Sequence, residues 1–372
     1  MITYKFKLYS YKRNRYLKRI INAAANIWNH CIALHKRYYS MFGKHLNKFQ
    51  LMKHIAKLRR KNSYWQLVDA QAVQNISDRI DKSYKLFFKY HKNGVRPPSF
   101  CKSKKYKSFT LKQTGYKLIG SKIRLGKKLF GYHKSREIEG KIKTVTVKRM
   151  PTGDIFVFVV TDTATESIAP VTGKIAGFDF GLKTFLTNSN GSDISSPQFL
   201  LKAKKEIRKL SQKLSSKKLG SHNRNKARIK LAKLHQRIVN QRRDWFWKLS
   251  QRLCDTYDVL CFETLNLKGM QRLWGRKIGD LAFSSFLEIL QTVAAMKGKQ
   301  VVFVGQWFAS SKLCSSCGYK HSELKLRDRH WVCPNCNTSH NRDKNASINI
   351  EREGASSLSL DTVRLPKEAS IV

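Results

Sequence analysis

Residues 174–188 read KIAGFDFGLKTFLTN, and the middle of that stretch, Gly177-Phe178-Asp179-Phe180-Gly181, places one carboxylate inside an otherwise apolar run. Lys174–Asp179 reads as a buried strand and Thr184–Asn188 as its hairpin partner across a short glycine-containing link. In a chain with 74 Lys and Arg against 24 Asp and Glu, an acid at the end of an apolar strand is the informative event. The same arrangement recurs in Val259-Leu260-Cys261-Phe262-Glu263, a short apolar run ending in Glu263. Val301–Val304 reads as another buried strand, with no acid at its end. A third acid, Asp343, opens a short helix of about 344–352 in Asn341-Arg342-Asp343-Lys344-Asn345-Ala346.

Carboxylates gathered from such positions repel unless they bind a hard cation, and Mg²⁺ takes carboxylate and water oxygens. Two such ions about 4 Å apart clamp the attacking and leaving oxygens of a phosphodiester displacement. Zinc suits these acids poorly, because no His neighbours them and Cys261 is the one nearby thiol. Each acid also has a plain alternative: Asp179 as a turn residue, Asp343 as a helix N-cap, and Glu263 as the partner of one of many cations.

Four of the eight cysteines are scattered (Cys31, Cys101, Cys254 and Cys261). The other four form Cys314-Ser-Ser-Cys317 and Cys333-Pro-Asn-Cys336. Two Cys-x-x-Cys turns each present a pair of thiolates, the ligand set of one structural zinc with no open position. Gly318, directly after the first pair, suits the positive φ that closes such a turn. The pattern points to a reducing compartment rather than a disulfide framework.

The formal net charge is +50 and the pI about 10.3, which implies a polyanionic partner. No run of 18 apolar residues reads as a membrane span, and residues 1–16 have no apolar signal core. From about residue 13 to 92 the pattern is helical, ended by Pro97-Pro98. Residues 82–136 hold seventeen Lys or Arg, ten aromatics and no acid. Glycines there and the turn Pro151-Thr152-Gly153-Asp154 read as a small β-barrel or curled sheet over 105–165 that recruits the first strand. Residues 200–253 are helical and basic, and Asp280 suits the cap of a helix carrying Phe283, Phe286 and Leu290. Residues 354–372 read as a loose tail. Candidate nucleic-acid contacts are Gln71, Gln74 and Asn75, whose amides suit adenine edges, with Lys85, Arg96, Lys102, Lys104, Lys105 and Arg342 for phosphates. Any one of the three amides can equally be an exposed helix polar.

Gly177–Lys183 (GFDFGLK), Val259–Leu267 (VLCFETLNL) and Arg342–Ile350 (RDKNASINI) resemble, in this order, the three RuvC motifs of the TnpB family of transposon-encoded RNA-guided DNA endonucleases, relatives of compact type V CRISPR effectors. The cysteine pairs lie between the second and third motifs, as in that family, and GKIKTVTVKRMPTG (140–153) resembles its last wedge hairpin. The resemblance implies an α+β multidomain chain with an RNase H-like RuvC α/β nuclease domain. Its parts would be a wedge barrel (1–10 and 105–171), a helical recognition domain (11–104), the nuclease domain (172–310 and 338–353), a zinc lobe (311–337) and a flexible tail (354–372). It implies catalytic Asp179, Glu263 and Asp343 holding two Mg²⁺, and one structural Zn²⁺ on the four clustered cysteines. Implied partners are a transposon-derived guide RNA, one chain per RNA, and double-stranded target DNA beside a short flanking motif, with no membrane. The implied location is the nucleoid-associated cytoplasm of a prokaryote. Alternatives are a nuclease-inactive RNA-guided DNA-binding protein and a basic zinc-ribbon RNA-binding protein.

Overall fold

In a computed structural model the chain divides into two units, Met1–Ala164 and Thr165–Val372. The residues described are 1–10, 12, 14–162, 170–325 and 327–364.

The first unit holds strands β1 (Ile2–Lys7), β2 (Ser108–Leu111), β3 (Tyr116–Ile119), β4 (Lys122–Leu125), β5 (Lys128–Gly131), β6 (Lys141–Arg149) and β7 (Ile155–Asp162). Its helices are α1 (Asn14–Phe42), α2 (Lys48–Lys61), α3 (Ser63–Gln66) and α4 (Ala70–Tyr90). The first strand is recruited as the sequence predicts: β1 pairs antiparallel with β7, giving the order β1-β7-β6-β2. Alternation drives it, since Tyr4, Phe6, Val145, Val147, Val157 and Val159 all turn to one core. The strands β3-β4-β5 form a separate meander whose two-residue turns open on Gly120 and Gly126, both at positive φ. A bridge between Leu8 and Tyr132 joins the two sheets, so strand pairing among the described residues links two sheets rather than closing one barrel. The helical stretch is broken into pieces by local signals: a capping box of Asn47 and Gln50 starts α2, and the Asp69 side chain caps α4. Residues 163–169, at the end of the expected wedge, lie outside the described residues.

The second unit is built on β8 (Ile175–Phe180), β9 (Thr184–Asn188), β10 (Asp193–Ser195), β11 (Val259–Glu263) and β12 (Gln300–Val304), ordered β10-β9-β8-β11-β12. Strands β9 and β10 run as antiparallel hairpins from β8, while β11 and β12 are parallel to it. Helices α5 (Phe199–Lys202), α6 (Lys204–Ser215), α7 (His222–Thr256), α8 (Leu267–Leu281) and α9 (Phe283–Lys297) fill the connections. A hairpin of β13 (His330–Val332) and β14 (Ser339–Asn341) precedes α10 (Arg342–Arg364). The period of two sorts the central strands. Ala176, Phe178 and Phe180 of β8 and Leu260 and Phe262 of β11 join the core with α7 and α9. Gly177, Asp179, Cys261 and Glu263 therefore face the other side, where α10 lies against β8 and β11.

Two expectations are corrected here. Asp280 does not cap the helix at Phe283; that helix has no side-chain cap, and Asp280 instead accepts from the Leu200 and Leu201 amides at 3.1 Å, capping α5. The last helix does not stop near residue 352. It continues to Arg364, so of the expected tail 354–364 is helical and 365–372 lies outside the described residues. The run Ile278–Lys297 is long and apolar enough to cross a membrane, but Ala282 breaks it at φ 50° and Phe283, Phe286, Leu290 and Val293 bury against the sheet.

Candidate functional site

Three elements distant in sequence deliver the acids. Asp179 sits one residue before the end of β8, Glu263 is the last residue of β11, and Asp343 lies in the first turn of α10. The local alternatives fail on geometry. Asp179 is within the β8–β9 ladder opposite Thr187 rather than in a turn. The cap of α10 is Asn341, whose Oδ1 accepts from the amides of Asp343 and Lys344 at 3.1 Å, which leaves the Asp343 carboxylate free of that duty. Among the described residues neither Asp179 nor Glu263 forms an ion pair, in a chain of net charge +50. Burial, then the charges of Glu263 and Asp343, push the Asp179 carboxyl well above its ordinary range, with Arg342 and Arg329 opposing. Burial raises Glu263 as well, partly offset by a hydrogen bond between it and Asp179. Two carboxyls so close and so little hydrated favour a cation beside them, and this donor set of three carboxylates suits Mg²⁺.

Asp343 differs, because Arg329 Nη1 donates to its Oδ1 at 2.7 Å. Beside it a cavity of about 360 Å³ is lined by Lys183, Arg329, Lys344, Asn341 and the Gly191 turn. Cations beside acids suit a phosphodiester, whose charge they attract while the acids hold metal. Sequence reading missed Arg329 and Lys344; Lys183 was visible only as the end of GFDFGLK.

The four clustered cysteines converge. All four Sγ atoms lie within 4.8 Å of one another, with Cys314–Cys336 and Cys317–Cys333 each 3.6 Å apart. A zinc tetrahedron with arms of about 2.3 Å has edges of about 3.8 Å, so the thiols fit that ion. Gly318 takes φ 77° as the spacing predicts, and Asn337 takes φ 56° at the matching place after the second pair. The turns are equivalent: the Gly318 amide donates to Cys314 O and the Asn337 amide to Cys333 O, both at 2.9 Å. Burial pushes the Cys314 thiol up to about 11, whereas the Thr338 hydroxyl and amide bring Cys336 down to about 6. His340 Nε2, 3.0 Å from Cys314 Sγ, supplies an outer-shell contact that the sequence did not announce.

The cysteine hairpin is fastened to α10 by side chains that sequence reading also missed. Asn345 accepts from the Ser315 amide (2.8 Å) and donates to Leu313 O (2.6 Å), and Asn349 donates to Ser310 O and Leu313 O. The signal was present as two asparagines four apart in RDKNASINI, one face of a helix. Removing zinc with a chelator, or replacing Cys333 by Ser, is expected to loosen residues 313–341. Amide exchange should rise there and at Asp343 while β1–β7 stays protected; unchanged exchange would count against the ion.

Of the candidate nucleic-acid residues, Gln74, Arg96, Lys102, Lys104 and Lys105 are exposed, and Gln71 and Asn75 are half-buried on α4. Lys85 is exposed but pairs with Asp81 at 3.0 Å. Arg342 is a correction. It is buried and donates to Lys325 O (2.5 Å) and Ser311 Oγ (3.1 Å), so its guanidinium is consumed inside the fold. A cleft of about 500 Å³ in the first unit brings Lys105 together with Trp28, Arg79, Phe100, Tyr106 and Lys148. Arg79 there lies 5.4 Å from the Trp28 ring centre and 5.9 Å from that of Tyr106.

Residues 158–273 match the OrfB_IS605 family, described as "Probable transposase", and residues 283–350 match the Cas12f1-like TNB domain. A Streptomyces pristinaespiralis protein named "Putative RNA-guided DNA endonuclease" is 36% identical over 231 residues, 61% of this chain and 57% of its own length. This chain is thus matched to little more than half of that relative. Escherichia coli K12 InsQ, which carries the same description, is 23% identical over 91% of this chain and 88% of its own. Among solved structures, Cas12f1 in complex with sgRNA and target DNA superposes with a TM-score of 0.61, covering 92% of this chain and 83% of that one at 16% identity, a likeness of fold.

Proposed function

The chain is a TnpB-family protein, and from that premise we propose that it is an RNA-guided, Mg²⁺-dependent DNA endonuclease that cuts beside a short flanking motif. The observation that carries this reading is the convergence of Asp179, Glu263 and Asp343 on one sheet face, two of them with raised carboxyl pKa and no paired cation. Mg²⁺, when bound, supplies a Lewis acid that activates water and steadies the departing oxygen. Asp179 and Glu263 would hold it from the sheet, and Asp343 from α10. Lys183 and Lys344 attract the scissile strand's phosphates, and Arg329 is positioned to exchange its contact with Asp343 for a phosphate oxygen. The four cysteines hold zinc, which orders the hairpin carrying Arg329. The β8-centred sheet, read this way, is the RuvC nuclease core and the first unit the wedge and recognition part. Gln71, Gln74, Asn75 and the exposed lysines of residues 85–105 would face nucleic acid.

The chain's excess of about fifty positive charges favours a long polyanion over a short DNA site, and no array of base-reading modules is visible in the sequence. Sequence choice is therefore delegated to base pairing with RNA. The test is to exchange the guide segment of the copurifying RNA and supply matched plasmids with a randomised flank. Cleavage is expected to follow the guide and to select one fixed flank. Cuts that stay in place after the exchange, or that form equally well without RNA, would leave a plain DNA-binding nuclease.

A further inference from the structure

Trp307 is 90% exposed, an almost fully solvated indole. It lies three residues beyond Val304, the end of β12, and Val304 is in parallel register with Glu263. The Thr264 amide and hydroxyl both donate to Val304 O, at 3.1 and 2.8 Å, so the ends of β11 and β12 are clamped together. The loop that follows is held by hydrogen bonds. The Phe308 amide closes a turn onto Gly305 O at 3.0 Å, Asn349 of α10 holds Ser310 O at 2.8 Å, and buried Arg342 holds Ser311 Oγ. Phe308 packs with Cys261, Val304 and Ile350, on the sheet face that also carries Asp179 and Glu263. Its neighbour Trp307 is thus held in water at the border of the acid face. Chain reach places the Trp307 Cα within roughly 15 Å of the Glu263 Cα, about four stacked nucleotides.

An indole held in water on a hydrogen-bonded turn gains no packing from the fold, whereas a flat apolar partner that covers it would remove its large apolar face from water. We infer that Trp307 is a stacking platform for an unpaired base of the DNA strand led to the three acids. This rests on the nuclease reading for the identity of the strand, while the stacking itself needs neither guide RNA nor cleavage. Every base has a π-face, so the contact is independent of sequence and holds the strand's position while the cations hold its phosphates. Trp307 acts here as a positioning residue, since it touches no reacting atom.

The test uses the full chain carrying Asp179→Ala, so that DNA is bound and not cut. A twelve-nucleotide single-stranded DNA carries 2-aminopurine at each position in turn. One or two positions are expected to be quenched on binding. Trp307→Ala should restore their emission and weaken binding roughly 5- to 150-fold. Trp307→Phe should keep the quenching and bind within a few-fold of the parent. Replacing the quenched base by an abasic site should weaken the parent and leave Trp307→Ala unaffected, because both remove the same contact. If Trp307→Ala binds and quenches like the parent, or if the abasic penalty is equal in both proteins, the inference is overturned. Because Trp307 buries almost nothing, unchanged zinc content and thermal melting are expected in both variants. A chain that fails the guide exchange yet shows this pattern loses the RNA-guided reading and keeps the platform; the reverse outcome loses only the platform.

Discussion

Asp179→Asn is expected to reduce cleavage of a matched plasmid by at least about 10³-fold while leaving guide and target binding close to that of the parent. The substitution keeps the size of the side chain and removes the charge that holds metal, and loss of several kcal/mol of transition-state stabilisation corresponds to that factor. The same variant should melt at a higher temperature than the parent in buffer without added divalent cations. The sign follows from the raised carboxyl pKa of Asp179. Folded protein keeps that proton to a higher pH than unfolded chain does, so stability is full below the unfolded pKa and declines as pH rises through the folded one. Above the unfolded pKa the buried carboxyl beside Glu263 and Asp343 costs stability, and the neutral amide removes that cost. Added Mg²⁺ should raise the melting temperature of the parent and much less that of the variant. A variant that still cuts, or that melts lower than the parent without metal, would move the metal site elsewhere.

The second large effect concerns a residue with no chemistry. Gly177→Ala is expected to cost roughly 3–5 kcal/mol of stability in the second unit, enough to abolish soluble expression of many domains of this size. A Cβ at Gly177 would stand 2.1 Å from Ser347 O and 2.5 Å from the Glu351 amide nitrogen, both backbone atoms of α10 that cannot turn aside. The helix would have to lift from β8, and with it Asp343. Gly354 repeats the constraint one strand over, where a Cβ would meet Cys261 Sγ at 2.4 Å. Denaturant unfolding followed by a probe in each unit checks this: the transition of residues 170–364 should shift to lower denaturant and that of residues 1–162 should not. A wild-type midpoint in both would mean that α10 does not lie so close.

The close approach of α10 also explains which sequence signals could be read and which could not. Asp179, Glu263 and the four cysteines were legible because each is locally anomalous: an acid closing an apolar strand, or thiols paired two residues apart. The strands β8, β9, β11 and β12 were legible from apolar runs of strand length, and the recruitment of β1 from its alternation. Whether Asp343 was an acid for metal or a helix cap was undecidable locally, because Asn341 and Asp343 are both good caps, and only the folded turn shows which oxygen meets the free amides. Asp280 was assigned to the nearer helix by proximity in sequence, yet it caps one eighty residues away. Arg342 looked like a phosphate contact until burial showed both its hydrogen bonds directed inward.

By itself the sequence determined the inventory of this protein: its central strands, its paired cysteines, its acids, its excess of positive charge. The tertiary structure decided the pairings, that Asp179 and Glu263 share a face because β8 and β11 run parallel in register, that Arg329 reaches Asp343, and that Trp307 stands in water. The reason is physical. Propensity, periodicity and ligand spacing are set by bonds and neighbours within a few residues, whereas register and side-chain partners come from packing between segments that can be eighty or more residues apart.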